Sequence, residues 1–267
     1  MNKTLFLYEL KKDIKMLCIF AAILTMYIAS VIWLYDPEMM KSLEQIYTSM
    51  PQLMNAMGMK ASAPTLIGFM ISYLYGFIFL VIPLVYILLR AKSLLVDKVE
   101  KNSMATLLSA PVSRRKIAVT QIVELVVGIV IMLVFSTAME IIFSEIWFAG
   151  DLDVVALIKV NLGLLALLCF IASLCMFGSA FFNESGKMLG ASGGFCLVMY
   201  LINMIKNTGI ADDLEKLKYI TFFTLFEPEG LVEGTSKAIT GSITLAVASL
   251  IVFITTVVVF EKKDLVL

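Results

Sequence analysis

The stretch Leu66–Leu89 reads LIGFMISYLYGFIFLVIPLVYILL, 24 consecutive residues without a charged side chain. An α-helix rises about 1.5 Å per residue, so this stretch would form a helix about 36 Å long, enough to cross the roughly 30 Å hydrocarbon core of a bilayer. A helix that is apolar on all sides belongs in the core of a large protein or in a membrane. The stretch therefore predicts a transmembrane helix in an all-α integral membrane protein.

Five further stretches have the length and composition of transmembrane helices. They are Leu17–Tyr35, Ile117–Phe143, Val160–Phe182, Met188–Ile205 and Ala238–Phe260. Of these, Ile117–Phe143 alone contains charged residues, Glu124 and Glu140. Apolar residues make up 60% of the 267 residues and charged residues 16%, where an ordinary soluble domain carries roughly 25% charged residues. The sequence thus predicts one membrane domain, residues 1–267, with six spans.

The basic residues indicate how the six spans are oriented. With the N-terminus inside, 14 of the 21 Lys and Arg residues fall in cytoplasmic segments and seven in outer segments. Cytoplasmic connections of membrane proteins are enriched in Lys and Arg. We therefore expect both termini in the cytoplasm, in a multi-pass protein surrounded by the lipid of the cytoplasmic membrane.

Composition and motifs exclude several kinds of chemistry. The chain has no histidine, which excludes Ser-His-Asp and Cys-His hydrolysis, zinc bound by histidine, and haem held by a proximal histidine. The four cysteines lie in apolar runs without a Cys-x-x-Cys pair, so we interpret them as packing residues. Ser185-Gly186-Lys187 lacks the other residues of a phosphate-binding loop. The net charge of zero favours no nucleic-acid partner. Because the motifs of these enzymes and cofactor sites are missing, we expect neither a catalytic residue nor a cofactor in this chain.

The segments outside the spans show two kinds of pattern. Leu7, Leu10, Ile14 and Leu17 follow helical spacing, which predicts an N-terminal helix that lies in the membrane interface and bends into the first span. The outer segments 36–65 and 207–236 each carry a helical stripe. The second also contains an aromatic cluster around Phe222 and Phe226, which is typical of an interface or of a shallow re-entry into the membrane.

Polar residues within the spans have two readings each. Glu124 and Glu140 could be functional, because an acid inside a membrane is costly, or could simply reach the interface or a wet cavity from near the span ends. Asn161 and Asn203 could form interhelical hydrogen bonds or contact a substrate. Gly190 and Gly194 have the small-xxx-small spacing of closely packed helices.

The segment between the second and third spans, Arg90–Lys116, combines charge with an apolar stripe. It carries seven of the 21 basic residues, yet its centre holds Met104, Leu107 and Leu108, followed by Pro111. This pattern predicts a short amphipathic helix at about 98–110 that ends before the proline. Such a stripe indicates a partner surface, either lipid headgroups or a cytoplasmic protein.

Within that segment, residues 100–115 read EKNSMATLLSAPVSRR, which resembles the signature of ABC transporter permeases of the type-2 exporter class. The pattern in that family reads approximately E-x-G-T-M-E-x-L-L-S-x-P-V-S-R. The sequence departs from it at Asn102, where glycine is usual, and at Ala105, where glutamate is usual. The residues in agreement are Glu100, Ser103, Met104, Leu107, Leu108, Ser109, Pro111, Val112, Ser113 and Arg114.

The resemblance implies a permease subunit that carries no enzymatic activity of its own. It would pair with a second permease, identical or related, and with two separate ABC ATPase subunits that bind ATP and magnesium. The segment between spans two and three would be the coupling helix that transmits ATPase movement during export. The residues implied for that contact are Glu100, Ser103, Met104, Leu107, Leu108, Pro111, Arg114 and Arg115.

Three alternatives remain open at the level of sequence. A secondary transporter driven by an ion gradient would favour charged residues in mid-span and broken helices, which the sequence shows little of. An intramembrane enzyme is disfavoured by the absence of histidine and of acid pairs in mid-span. The third alternative is a membrane regulator that transports nothing. The substrate is not indicated by any motif.

Overall fold

The computed structural model describes residues 1–35, 48–56, 65–108, 112–208 and 219–263, and every regular element within these ranges is helical. Six of its helices are long and apolar enough to cross a membrane. They are α1 (Lys3–Trp33), α2 (Leu66–Glu100), α3 (Arg114–Trp147), α4 (Val154–Phe181), α5 (Ser185–Asn207) and α6 (Ser236–Lys262). The predicted fold class and the six spans are confirmed. The helices extend beyond the uncharged stretches because α-helical hydrogen bonding continues into charged sequence at their ends.

Successive helices run antiparallel, so the bundle has two ends. The starts of α1, α3 and α5 and the ends of α2, α4 and α6 form one end, which we call the terminal face. The backbone N–H of Asn2 donates to Thr120 Oγ1 of α3 there, over 2.8 Å. At the other end, the far face, the ring of Tyr35 after α1 packs against Phe69 of α2 and Phe148 after α3.

The first helix is one continuous element of 31 residues, about 46 Å long. The sequence predicted an interfacial helix that bends into the first span, but the structure joins the two without an interruption. Leu7 and Ile14 of the predicted apolar stripe are exposed, whereas Glu9 and Asp13 are buried against the bundle. The acids face inwards because they meet basic side chains of α2.

Two segments of α2 are wound as π-helix, Ile71–Ile78 and Lys92–Val96. A π-helical turn leaves backbone groups without their usual partners inside the helix. The Ser179 hydroxyl of α4 serves the second segment, since it donates to the Ala91 carbonyl (2.7 Å) and accepts from the Val96 N–H (3.0 Å). In the first segment the Tyr200 hydroxyl of α5 donates to the Gly76 carbonyl over 3.2 Å. The neighbouring helices thus stabilise the irregular winding.

The part of the chain before α6 is inserted into the far face. A 3₁₀ turn, Phe222–Leu225, and a short helix, Pro228–Glu233, pack against α4 and α6. Two glycines make room for them. A Cβ at Gly163 of α4 would collide with the Leu231 side chain, and one at Gly241 of α6 with the Leu225 backbone.

The predicted structured outer segments are therefore present in part. The described portion of the first segment contains a short helix, Pro51–Ala56, and the described portion of the second consists of residues 207–208 and 219–236. Most of the helical stripe predicted in 36–65 lies outside the described residues, as do residues 209–218 of the second segment.

Candidate functional site

The connection between α2 and α3 is helical, but it is not the single helix predicted at about 98–110. The α2 helix ends at Glu100, Lys101 and Asn102 form a turn, and a separate helix runs over Ser103–Leu108. Residues 109–111, which include Pro111, lie outside the described residues. The predicted segment is therefore helical, but a turn at 101–102 interrupts the helix, which the spacing of the apolar residues does not indicate.

Asn102 causes the break. Its φ is +55°, in the left-handed region, which is costly for most residues but accessible to glycine and next most easily to asparagine. This explains the first departure from the family pattern, because asparagine replaces glycine at a position that requires left-handed backbone. The sequence contained this signal, since asparagine tolerates the left-handed backbone of a turn and is common there.

The apolar stripe of this connection faces largely into the chain itself. Met104 is completely buried and belongs to the hydrophobic core, and Leu107 is half-buried against that core. Met104 therefore packs inside this chain, while Leu107 retains a solvent-facing part, and the predicted contact of Met104 with a partner stays a prediction. The side chain of Leu108 is outside the described part of the chain.

The charged residues of the connection tie the helix ends of the terminal face together. A Glu100 carboxylate oxygen accepts from the Ser185 N–H, 3.1 Å away at the start of α5. The Ser103 hydroxyl donates back to the Lys98 carbonyl over 3.3 Å. Arg114 donates to the Lys263 carbonyl after α6, over 2.7 Å, whereas Arg115 is exposed. The predicted coupling residues that the structure describes are thus brought together at one face, and most of them contact their own chain.

Lys263 completes these contacts after the end of α6. Its ammonium group donates to the Ala180 and Phe182 carbonyls at the end of α4, over 2.8 and 2.7 Å. A lysine at a helix C-terminus satisfies carbonyls that have no partner inside the helix. Partial burial of the ammonium group lowers the pKa of Lys263 to about 8.

A buried cluster of charges lies just above the terminal face. Arg90 of α2, 2% exposed, donates through Nη2 to Glu124 Oε1 of α3 over 2.5 Å, and its Nε lies 3.2 Å from Asp13 Oδ1 of α1. It also donates to the Glu9 carbonyl over 2.8 Å, and Lys98 donates to the Glu9 carboxylate. We call Glu9, Asp13, Arg90, Lys98 and Glu124 the Arg90 cluster.

The Arg90 cluster joins three helices through charge-assisted hydrogen bonds, which are roughly twice as strong as neutral ones. Tyr86 of α2 donates to Asp13 Oδ2 over 2.6 Å, and Gly128 of α3 leaves the space that its hydroxyl needs. Glu124 is completely buried. The reading in which Glu124 reaches the interface or a wet cavity is therefore wrong, because its carboxylate is held by Arg90 in the bundle.

Four of these five charges, Glu9, Asp13, Arg90 and Lys98, lie beyond the uncharged stretches, so the sequence predicts interfacial or loop residues there and not a buried cluster. Their spacing contained a signal. Glu9 and Asp13 are four residues apart and lie on one face of α1. Arg90 and Lys98 are eight residues apart, which places them on one face of α2.

A second buried polar group, near the far face, surrounds Glu140 of α3. Glu140 is completely buried; the Tyr75 hydroxyl of α2 lies 3.0 Å from its Oε1, and Asn161 Nδ2 of α4 donates to its Oε2 over 3.2 Å. Asn161 thus forms an interhelical hydrogen bond, one of its two predicted roles. Both partners of the Glu140 carboxyl are uncharged, and among the described residues no ion pair includes it.

Tyr75 also lines a cavity that opens at the far face. The cavity has a volume of about 350 Å³ and lies between α2, α5 and the inserted segment before α6. Asn203 lies in its wall, as do the rings of Phe223 and Phe226. A concave, partly apolar site of this size is typical of small-molecule binding.

The chain is similar to one known family along nearly its whole length. A family model described as "ABC-2 family transporter protein" matches residues 6–265, which include all six spans but for the first three residues of α1. No curated protein matches the chain.

Proposed function

Because the chain belongs to the ABC-2 family of transporter proteins, and is thus the membrane permease of an ABC transporter, we propose that it moves substrate outwards with energy from separate ATPase subunits. The observation that carries the proposal is the family match over a bundle of six spans. The motif at 100–115, in the connection between α2 and α3, supports a docking site for an ATPase. The chain lacks the phosphate-binding loop that an ATPase needs, so ATP and magnesium are assigned to the partner.

The expected result of a mild-detergent purification is the recovery of an ABC ATPase whose hydrolysis depends on this chain. The measurement is identification of the co-purifying proteins, followed by ATP hydrolysis with and without the permease. If the permease transports with no ATPase bound and responds only to an ion gradient, the proposal is wrong.

We also propose that the terminal face is cytoplasmic. The distribution of 14 basic residues against seven supports this orientation, and it places the 100–115 motif on the side where ATP is available. Both termini are then cytoplasmic, the localisation is the cytoplasmic membrane, and the cavity opens outwards.

Cysteine labelling tests this orientation. In a cysteine-free background, single cysteines at Ser42 and Ser236 are expected to react with an impermeant maleimide added outside intact cells, whereas one at Ser113 is expected to react only after the cells are opened. Ser113 and Ser236 are both exposed in the structure, so the fold of the permease itself shields neither position from the reagent. Labelling of Ser113 but not of Ser42 or Ser236 from outside would reverse the orientation.

A second permease subunit, identical or related, is part of the proposal. Helix α5 supports it because few of its residues are buried and its outer face holds Phe195, Val198 and Leu201. Gly190 and Gly194 have no neighbour within 4 Å of the place where a Cβ would stand, so they pack against nothing within the described part of this chain. Small residues on an open face allow two membrane helices to approach closely.

Ion-coupled transport is the second candidate, and two observations favour it. Glu124 and Glu140 of α3 are buried, and buried acids in a membrane mark ion pathways. Helix α2 contains π-helical segments, which are frequent at functional sites and which the sequence did not indicate. The purification and ATP hydrolysis experiment described above separates ion-coupled transport from ATP-driven transport.

A further inference from the structure

The Glu140 carboxyl is in an unusual environment for an acid. It is completely buried in α3, and the side chains that face it are Tyr75 from α2 and Asn161 from α4. Both of its hydrogen-bond partners are uncharged, and no ion pair among the described residues includes this carboxyl. An ionised carboxylate without a cation is strongly disfavoured in such surroundings, so Glu140 holds its proton when the cavity is empty.

Other polar atoms near Glu140 have spare hydrogen-bonding capacity. Ser136 and Ser144 lie one helical turn to either side on the same buried face of α3, and their hydroxyls have no partner among the described residues. Residues four apart on a helix are neighbours, so both hydroxyls can turn to donate to Glu140 once it is ionised. The site therefore has groups ready to stabilise the ionised state, which the resting state does not use.

The cavity brings ligand and acid within reach of each other. Tyr75 is one of the residues that line the cavity, and its hydroxyl is hydrogen-bonded to Glu140. Phe223 and Phe226 add two more aromatic rings to the wall. Aromatic faces attract cations, and the attraction is larger in a partly desolvated site.

Among the residues that the structure describes, the charges at the cavity balance without Glu140. Glu227 and Glu229 lie in the wall with Lys206, and Lys237 pairs with Glu227 over 2.5 Å. Two acids are thus offset by two bases. Glu140 lies behind the wall, where it is hydrogen-bonded to Tyr75, and it adds a negative charge beside the cavity once it loses its proton.

From this arrangement we propose that the cavity binds an organic cation and that Glu140 releases its proton when the cation binds. The proton passes to the Tyr75 hydroxyl, which gives its own proton to water in the cavity. One proton thus leaves for each cation bound, and the carboxylate becomes the counter-charge of the ligand. The inference rests on the proposed function only in treating the cavity as part of the substrate path.

The test uses the purified full-length chain in a non-ionic detergent, without ATP or an ATPase. Tetraphenylphosphonium is the probe, and tetraphenylborate, an anion of the same shape, is the control ligand. Calorimetry in two buffers of different ionisation enthalpy gives the number of protons released. We expect about one proton per phosphonium bound and an affinity that rises about tenfold per pH unit while Glu140 is protonated in the free chain.

Matched variants separate Glu140 from the rest of the cavity. Glu140→Gln is expected to abolish proton release and to make the affinity independent of pH. Glu227→Gln, the same change at the cavity rim, should leave proton release at about one. Phosphonium binding without proton release, equal release from Glu140→Gln, or equally tight binding of tetraphenylborate would overturn the inference. None of these outcomes bears on whether an ATPase co-purifies, so the two proposals fail separately.

Discussion

Replacement of Arg90 by leucine is expected to produce the largest loss of stability of any single change in the bundle. Arg90 is 2% exposed and contacts Glu9, Asp13 and Glu124. Without it, three buried carboxylates share the single cation of Lys98. Removal of one partner from a buried ion pair typically costs about 3–5 kcal/mol, because the remaining charge is left uncompensated. The measurement is the free energy or midpoint temperature of unfolding in detergent.

Lys92→Leu provides a matched control two residues along the same helix. Lys92 is partly exposed and lies 3.7 Å from the Asp97 carboxylate, so its loss should cost no more than about 1 kcal/mol. The double variant Arg90→Leu with Glu124→Gln removes one of the uncompensated acids and should be more stable than Arg90→Leu alone. An Arg90→Leu chain as stable as the Lys92→Leu chain would show that the cluster is hydrated rather than buried.

The sequence predicted the spans well because their signal is local. A run such as Leu66–Leu89 needs no knowledge of its neighbours, since the bilayer decides where it lies. The ends were predicted less well. Lys98 looked like a cytoplasmic charge, yet it is buried in the continuation of α2, because Glu9 of another helix neutralises it.

In the candidate sites, too, the local features could be predicted from the sequence and the contacts between helices could not. Glu140, Asn161 and Glu124 could each be identified from the sequence as unusual residues, because an acid or amide in a span is rare. Their partners could not be identified, since Tyr75 and Arg90 lie 65 and 34 residues away from the acids they contact. A contact between helices at such separations depends on packing, which no local pattern encodes.

The motif at 100–115 could be recognised from the sequence, because it is local. The direction in which its side chains face could not, because it depends on packing against other helices. The apolar stripe predicted a partner surface, and the partner of Met104 is the chain's own core. Leu107 lies three residues further on and keeps a solvent-facing part, as expected for a residue at the rim of that core. The proposed contact with an ATPase therefore has fewer exposed apolar residues than the sequence indicated.

Leu107→Asp is accordingly expected to uncouple the permease from its ATPase. A carboxylate at this position would have to be desolvated in the interface without a cationic partner. Loss of an interface anchor typically costs about 2–4 kcal/mol, which lowers affinity by roughly 30- to 1,000-fold. The measurement is the amount of ATPase retained in detergent, together with ATP hydrolysis stimulated by the permease.

Two further variants show whether the effect arises at the interface. Arg115→Ala removes an exposed charge and should weaken the free energy of ATPase binding by no more than about 1 kcal/mol. Met104→Ala opens a cavity in the chain's own core, so it should lower the unfolding free energy of the isolated permease by about 2–5 kcal/mol. Leu107→Asp should leave the isolated permease much closer to the parent than Met104→Ala does. If Leu107→Asp instead retains its ATPase and hydrolyses ATP like the parent, the connection does not dock the ATPase, and its exposed part faces lipid headgroups.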